Sequence, residues 1–512
     1  MKNTILILFL IVCFFTNSYG QTVSRDLQFG NNGELLLQAE NAYLQDDNKI
    51  INVYNSNQNT IIINKYTNDG KADTSFGMNG TVSHTFSFLI INLSQPISQS
   101  DGKILITGQT QNANQDRVMI LLRFNSNGSL DNSFNSLGYF IWTVNSDVGS
   151  RGNYVIPLSS GKIIIGGTAN GVVYPFGSPQ GGYTGNDAII WRFLANGTLD
   201  LSFNGKGYRG LDYFDSHLVN GGYSNDAVIG MALRTNGDIL LAVYMGITNF
   251  GTTRYGYYNI ASSGYSREVY SFGTISSDIE ITQCLVQTSN KPLMSRFNSY
   301  NTTSSILRFT PQNLEDYTFP DVNNFYLGQS NVPLSSYRLN DMALINDKII
   351  TVGTWRNSIS SNYDHFSLIR LNVDGTYDTS FNNGSSIYTE NINGFIAKRI
   401  FVRPGMIIVS GTRNNNPVIV KYILGSNMNT PNFNNQKKVS VVPNPFRDNI
   451  KIQFENANTP FNYTIINFVG TEVARGVLQN QKAINLSGLA SGVYLLQLEY
   501  DGNTTVKKII KH

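Results

Sequence analysis

Cysteine and histidine are nearly absent, at 2 and 4 in 512 residues. A disulfide scaffold is thereby excluded, and little is left from which to build a zinc or thiol site. Charge is also sparse, at 14%, and balanced: 37 Lys+Arg against 34 Asp+Glu, a net of +3. A nucleic-acid binder concentrates basic residues in one domain; none does so here, and no nucleic-acid partner is expected. Past the first twenty residues no apolar run approaches the roughly 20 residues of a membrane-spanning helix, so no transmembrane segment is expected in the mature chain. No Gly-x-Ser-x-Gly elbow and no Gly-Lys-Ser/Thr phosphate loop occurs. What is plentiful is glycine (46), tyrosine (28) and phenylalanine (29), within a hydrophobic fraction of 41%. That composition supports a sizeable core and many strands and turns. By length it spans roughly three to four average domains, or one repeat architecture with a small companion.

The chain opens with MKNTILILFLIVCFFTNSYG. Lys2 supplies a positive n-region, Ile5 to Phe15 an apolar core, and Ser18-Tyr19-Gly20 a cut site before Gln21. Residues 1–20 therefore read as a signal peptide. Val12 ahead of Cys13 is not small and an apolar stretch follows, which argues against lipidation. After cleavage only Cys284 remains, and its apolar, strand-like surroundings read as those of a buried structural thiol.

One phrase recurs along the next four hundred residues: DLQFGNNG from Asp26, DTSFGMNG from Asp73, DNSFNSLG from Asp131, DLSFNGKG from Asp200 and DTSFNNG from Asp378. It is preceded by a second, as in ILLRFNSNGSL, IIWRFLANGTL and LIRLNVDGTY, and earlier by a third, as in SDGKILITG, SSGKIIIGG and TNGDILLAV. Weaker copies end at Phe272 and Phe319, and a partial one at Phe433. The marker phenylalanines 29, 76, 134, 203, 272, 319, 381 and 433 bound seven intervals of 47 to 69 residues, enough for four short strands each. The runs are apolar and β-branched, as strands buried on both faces require; Asp101-Gly102 and Asn127-Gly128 are hairpin-turn pairs. Stacking such sheets around an axis buries both faces of each. The expected fold is all-β: a β-propeller, seven-bladed, followed by a small antiparallel β-sandwich. An open solenoid would need capping repeats, and none is distinct. The first copy, Thr22 to Phe29, is a fragment, as expected if an N-terminal strand completes the last blade. The motif residues Asp26, Phe29, Asp73, Phe76, Asp131, Phe134, Asp200, Phe203, Asp378 and Phe381 are assigned structural roles. The phenylalanines plug the gaps between units, and the aspartates accept turn N–H groups.

These phrases, Asp-x-Ser-Phe-Gly-x-x-Gly after Arg-Phe-Asn-x-Asn-Gly-Ser-Leu, resemble the delta-60 repeat of bacterial secreted proteins over residues 22–433. The resemblance implies a β-propeller and transfers no catalytic residue. Asn135, Asn204 and Asn382 stand where the repeat usually has glycine.

Composition shifts near residue 426. A polar stretch, 426–438, reads as a linker, so that the propeller is assigned 21–433, the end of the linker 434–438 and a terminal domain 439–512. Residues 437–512 carry nine basic and five acidic residues; 21–436 carries 27 and 29. Alternation marks strands at Ile450–Phe454, Tyr463–Phe468, Val493–Leu498 and Thr504–Ile510. Pro443-Asn444-Pro445-Phe446, the hairpin around Val469-Gly470, Leu489-Ala490-Ser491-Gly492-Val493-Tyr494 and Lys507-Lys508-Ile509-Ile510-Lys511 together resemble the type A C-terminal sorting domain of the type IX secretion system of Bacteroidetes. The resemblance implies the secretion machinery as partner, export through the periplasm, and an extracellular or outer-membrane-surface destination.

No catalytic residue is assigned. The histidines fall at different phases, and no metal site is assigned to them. Asn125-Ser126-Asn127-Gly128 and Asn372-Val373-Asp374-Gly375 place oxygens as a calcium loop does, but the later bidentate Glu is missing; hairpin turns are the preferred reading, and no cofactor is expected. The excursions 167–187 and 249–266 are rich in Gly and Tyr. Tyr174, Tyr183, Tyr255, Tyr257, Tyr258 and Trp355 are the candidate ligand-binding residues, since flat rings with a polar edge suit sugar or peptide. The functional expectation is a secreted, non-catalytic binding propeller for a glycan or protein. The alternative is a polysaccharide-degrading or other hydrolytic propeller, which would bring two non-repeated acids together.

Overall fold

A computed structural model describes residues 21–143, 149–170, 186–211, 224–247, 252–265, 267–275, 279–298, 303–320, 336–356, 365–392, 394–426, 439–454, 461–467, 471–478, 482–500 and 503–512. The chain divides into two compact units, 1–426 and 427–512. Among the described residues no helix is long and apolar enough to cross a membrane.

Among the described residues the first unit is a succession of seven antiparallel sheets, each a meander in chain order. They begin with Ala42–Leu44, Ile90–Leu93, Arg151–Pro157, Ser224–Leu233, Ile279–Val286, Ser336–Ile345 and Phe395–Arg403. In the seventh sheet the outermost place belongs to the other end of the unit: Gln21–Arg25 pairs with Asn416–Ser426, Val23 opposite Leu424. The sheets read as near-continuous apolar runs because both faces are covered. Met119 to Leu122 are all fully buried, alternate residues facing opposite neighbours.

Seven hydrophobic clusters lie between successive sheets. Ile51 and Val53 meet Ile104 and Ile106 between the first and second, and Leu105 and Met119 meet Ile163 and Trp191 between the second and third. The series continues to Ile350 and Val352 against Val409 and Val418 between the sixth and seventh. The remaining cluster joins last to first: Met406, Ile408 and Ile419 pack on Ala42, Leu44 and Ile50. The multi-sheet, propeller-like architecture expected from the repeat is present.

Two expectations are corrected here. Phe272 is not a turn marker; it lies within the strand Arg267–Ile275, the fourth strand of its sheet. The excursion 249–266 is mostly regular structure, since Thr252–Ile260 pairs with Ile239–Ile247 across its whole length. In this unit the Asp-x-Ser-Phe phrase is lost, so sequence spacing no longer locates the turn. Phe433 lies outside the described residues.

The second unit pairs a three-stranded sheet (Val439–Val442, Asn449–Phe454, Ala483–Asn485) with a four-stranded one (Glu472–Leu478, Phe461–Asn467, Gly492–Tyr500, Asn503–Lys511). Ile450, Ile452 and Ile484 of the first meet Phe461, Ile465, Leu496 and Ile509 of the second. The Pro-Asn-Pro-Phe segment docks on the last strand: Asn444 donates to the Lys508 carbonyl at 2.8 Å and accepts from the Ile510 N–H at 2.9 Å.

Candidate functional site

The repeated aspartates come first. Asp73, Asp131, Asp200 and Asp378 are buried after the third strand of their sheets, Asp26 is half-buried after the N-terminal strand, and each uses both oxygens. In Asp200, Oδ1 accepts from the Ser202 hydroxyl (2.6 Å) and N–H (3.2 Å), while Oδ2 accepts from Arg192 Nε (2.7 Å) and Lys162 Nζ (2.8 Å). Asp131, Asp316 and Asp378 repeat this with Arg123, Arg308 and Arg370. The arginine plane lies over the marker ring, at 4.3 Å for Phe134, 4.7 Å for Phe203, 4.5 Å for Phe319 and 4.7 Å for Phe381. Its other arm crosses to the next sheet, Arg123 to the Ala195 carbonyl at 2.5 Å and Arg308 to the Val373 carbonyl at 2.8 Å.

The ring in turn lies on the next sheet's turn. A Cβ on Gly128, whose φ is +86°, would come 2.5 Å from Phe76, and one on Gly197 would come 2.7 Å from Phe134. Glycine is required there by backbone and by space together. Lysine replaces the arginine twice. Lys65 stands over Phe76, and Lys421 pairs with Asp26 at 3.2 Å and reaches the Asn68 carbonyl at 3.0 Å. The fourth sheet has Asn259 at the arginine position, and Arg234 from its first hairpin reaches the corresponding carbonyl, Pro311, at 3.1 Å. These groups are an inter-sheet latch, fully occupied by one another. In the calcium-like turns the oxygens are engaged locally: Asn127 Oδ1 accepts from Ser129, and Asp374 Oδ1 from Thr376.

The cavity lies elsewhere. An open cavity of about 1040 Å³ is lined by residues of the first strand, or its lead-in, from every one of the seven sheets. Six of these strands carry a β-bulge, at Ile91, Asn153, Ile229, Thr282, Asn340 and Lys398. A bulge re-aims side chains and tightens twist, and all of these bulged residues but Ile91 line the cavity. The neighbouring second strand then needs a residue without a side chain: a Cβ on Gly167 or Gly411 would lie 1.9 or 2.1 Å from the Arg151 or Ile396 carbonyl. Asparagines at this level stitch sheet to sheet. Asn41 donates to the Leu93 carbonyl (3.3 Å), Asn153 to Val228 (3.3 Å) and Asn340 to Ala397 (2.6 Å).

The lining is cationic. Arg151, Arg338, Lys398 and Arg399 face one acid among the described lining residues, Glu40, and Glu40 is held by Lys398 at 2.6 Å. Behind the lining, Asp341 is fully buried. It accepts from Gln283 (2.8 Å), the Met342 N–H (2.9 Å) and the Ile400 N–H (2.9 Å), joining three sheets. Burial raises its pKa, against the pull of Arg399 and of these donors. Cys284 is buried against the lining, and burial pushes its thiol up to about 12, leaving it protonated and inert.

Of the aromatic candidates, Tyr257 and Tyr258 are fully buried, and the expectation that they present faces to a ligand is corrected for both. They point to opposite faces of the fourth sheet. Tyr257 packs on Phe309 with ring centroids 4.7 Å apart and donates to the Asn313 carbonyl, and Tyr258 joins the cluster between the third and fourth sheets. Tyr174 and Tyr183 lie outside the described residues. Tyr255 and Trp355 sit within strands, Thr252–Ile260 and Lys348–Arg356, and their side chains lie outside the described residues. The channel residues Arg151, Asn153, Arg338, Asn340 and Arg399 were not picked out from sequence. A signal existed: Asn41, Asn153 and Asn340 each precede the lysine of the third phrase, Lys49, Lys162 and Lys348, by eight or nine residues.

Residues 440–512 match the family described as Secretion system C-terminal sorting domain. Residues 99–134, 181–203 and 346–381 match the family described as Domain of unknown function (DUF5122) beta-propeller. No curated protein matches the chain. Among solved structures, a polysaccharide lyase, Uly1, is similar at 10% identity over 77% of this chain and 91% of that one, TM-score 0.42. A prolyl endopeptidase is similar at 7% identity over 91% and 52%, TM-score 0.42. The Hadza microbial sialidase Hz136 is similar at 8% identity over 75% and 74%, TM-score 0.39. The chain thus carries a β-propeller-like, multi-sheet unit and a type IX secretion C-terminal sorting domain, consistent with export to the surface of a Bacteroidetes cell.

Proposed function

We propose that this protein is a secreted or cell-surface binding protein. Its delta-60-like repeats close into a seven-bladed ring over 21–433, behind a signal peptide at 1–20 and ahead of the sorting domain at 439–512. The outermost pairing of Gln21–Arg25 with Asn416–Ser426 supports closure, as does the cluster joining the seventh sheet to the first. The type IX machinery is its partner in export, and an extracellular glycan or protein is its ligand. The proposal includes no cofactor.

The observation that carries non-catalytic binding is the channel itself. It is large enough for a small-molecule ligand, every sheet contributes to it, and its described lining holds a single acid already paired to Lys398. Glycoside hydrolysis by the common route needs two carboxyl groups flanking the bond, roughly 5 to 9.5 Å apart. Asp341, an acid behind this lining, has both oxygens occupied and no exposure to offer.

Two experiments test the reading. The mature chain is applied to a microarray of glycans, with binding above background expected and a blank array counting against it. The same protein is incubated with polysaccharides and assayed for new reducing or unsaturated ends; turnover above a heat-killed control would move the protein to the hydrolytic alternative. Removal of 440–512 in the native host is expected to abolish its appearance outside the cell.

A further inference from the structure

The channel's cations are not all accounted for by the fold. Lys398 is held by Glu40, and Arg338 stacks on Phe297 at 4.8 Å and bonds Asn340 at 3.2 Å. The side chains of Arg151 and Arg399 make no hydrogen bond and no ion pair among the described residues, and the acid that Arg399 feels, Asp341, is committed to three other donors. An arginine kept at the wall of a concave, half-apolar site is suited to a planar oxyanion, which its fork can engage with two parallel hydrogen bonds.

The placement adds a length. Arg151 and Arg338 each lie two residues ahead of a bulged residue, Asn153 and Asn340, in the third and sixth sheets. Arg399 lies one residue beyond its own, Lys398. The first pair therefore marks one level of the channel, and Arg399 a second, three residues on but two ladder steps because the bulge inserts a residue without a partner, or roughly 7 Å at about 3.3 Å per step. A monatomic or single-centre anion satisfies one level only. Tyr43 and Phe401, edge to face at 5.9 Å, supply an apolar wall in the same cavity.

We infer that the channel is a binding site for an extended oxyanion-bearing ligand, an acidic oligosaccharide carrying carboxylates or sulfates, with Arg151 and Arg399 as its recognition residues at two depths. The inference rests on the channel-binding reading above and adds the ligand class.

Titration calorimetry on the mature full chain tests it with four probes: a uronic-acid tetrasaccharide, a sulfated tetrasaccharide, a neutral tetrasaccharide and inorganic sulfate. At least one acidic tetrasaccharide is expected to bind, more weakly as salt is raised, and at least tenfold more tightly than the neutral one or than sulfate. Arg151→Ala and Arg399→Ala are each expected to weaken it about tenfold or more with an unchanged melting temperature. Ile229→Trp, which fills the channel from the opposite wall, is expected to abolish it, while Tyr317→Ala on the exposed surface leaves it intact. If the neutral sugar binds as well and only Ile229→Trp removes it, the channel reading survives and the anionic class is overturned. Saturation by inorganic sulfate with no gain from the sugar overturns the oligosaccharide. Binding that persists in Ile229→Trp, or no binding by any probe, overturns both.

Discussion

Arg192 shows how much one side chain carries in this fold. It is paired through Nε to Asp200, lies over Phe203 and crosses to the Ser262 carbonyl of the next sheet. Asp200→Ala would leave a buried guanidinium without its counter-ion, and breaking such a pair costs about 3–5 kcal/mol; a urea titration monitored by tryptophan fluorescence measures it. Arg192→Lys should cost clearly less, because Lys65 and Lys421 already serve in that place, and a cost equal to that of Asp200→Ala would refute the latch. The aspartates also set an acid limit. Lysine and serine partners hold Asp73 at about 2, and arginine adds to the same effect on Asp200 and Asp378, below the unfolded value near 3.9. Their stabilisation is therefore complete above about pH 4 and is lost as pH falls towards 2. Melting temperature followed by circular dichroism should fall steeply across that window, and less steeply in Asp200→Asn. Asp341 runs the other way, because its raised pKa makes its charged form a cost that protonation relieves; it cannot be the source of acid unfolding. The aspartates and their turn bonds were legible in sequence because the phrase repeats. The basic residue that partners each, arginine or lysine, also recurs, yet its role depends on a carbonyl in the next sheet about seventy residues on from Arg123 or Arg192, which no local pattern displays.

Among the elements, the N-terminal strand has the most consequence for its five residues. Gln21–Arg25 covers the edge of Asn416–Ser426, Arg25 bridges Glu34 at 2.6 Å and Glu390 at 3.2 Å, and Phe29 lies against Gly70 of the first sheet. An uncovered edge is a template for pairing with another chain. Removing 21–29 should convert the protein to concentration-dependent oligomers on size exclusion, whereas Phe29→Ala, which leaves the strand in place, should remain monomeric at a cost of about 3–5 kcal/mol. Monomeric behaviour of the deletion would argue that the edge is otherwise protected. This strand was legible from the truncated first copy, since a fragment at one end of a repeat needs its complement at the other. The fourth sheet was not. Its strands are all nine or ten residues long, its third strand reads Tyr255-Gly256-Tyr257-Tyr258, and with the turn phrase gone the same residues suit a loop or a buried strand equally. Burial of Tyr257 and Tyr258 on opposite faces decides for the strand. The first strands were the least legible elements of all. They lie in the variable stretch ahead of each Gly-Lys-Ile phrase, and their cavity-facing residues differ from sheet to sheet because a channel, unlike a core, does not demand one residue type.

At the scale of the whole molecule, the two units have separate cores. Phe446, Ile450, Phe461 and Leu496 are buried within the second unit, and the first unit has its own clusters between its sheets. Units with independent cores unfold independently unless a large apolar interface joins them. Cutting the chain after residue 438 should therefore leave the melting transition of the remaining protein within about 2 °C of its position in the full chain, while a second, smaller transition disappears from the calorimetric trace. In cells the same truncation should leave a folded, protease-resistant protein that fails to reach the outside. The two readouts separate the roles. A shifted main transition would mean that the terminal sandwich braces the sheets, and its loss would then impair export through misfolding rather than through a missing address. An unshifted transition with export lost assigns the address to the sandwich alone, in which Asn444 and the last strand are held together by two hydrogen bonds. Asn444→Ala would then be expected to reduce export without moving the main transition, since it unties the Pro-Asn-Pro-Phe segment from Lys508 and Ile510 within the sandwich.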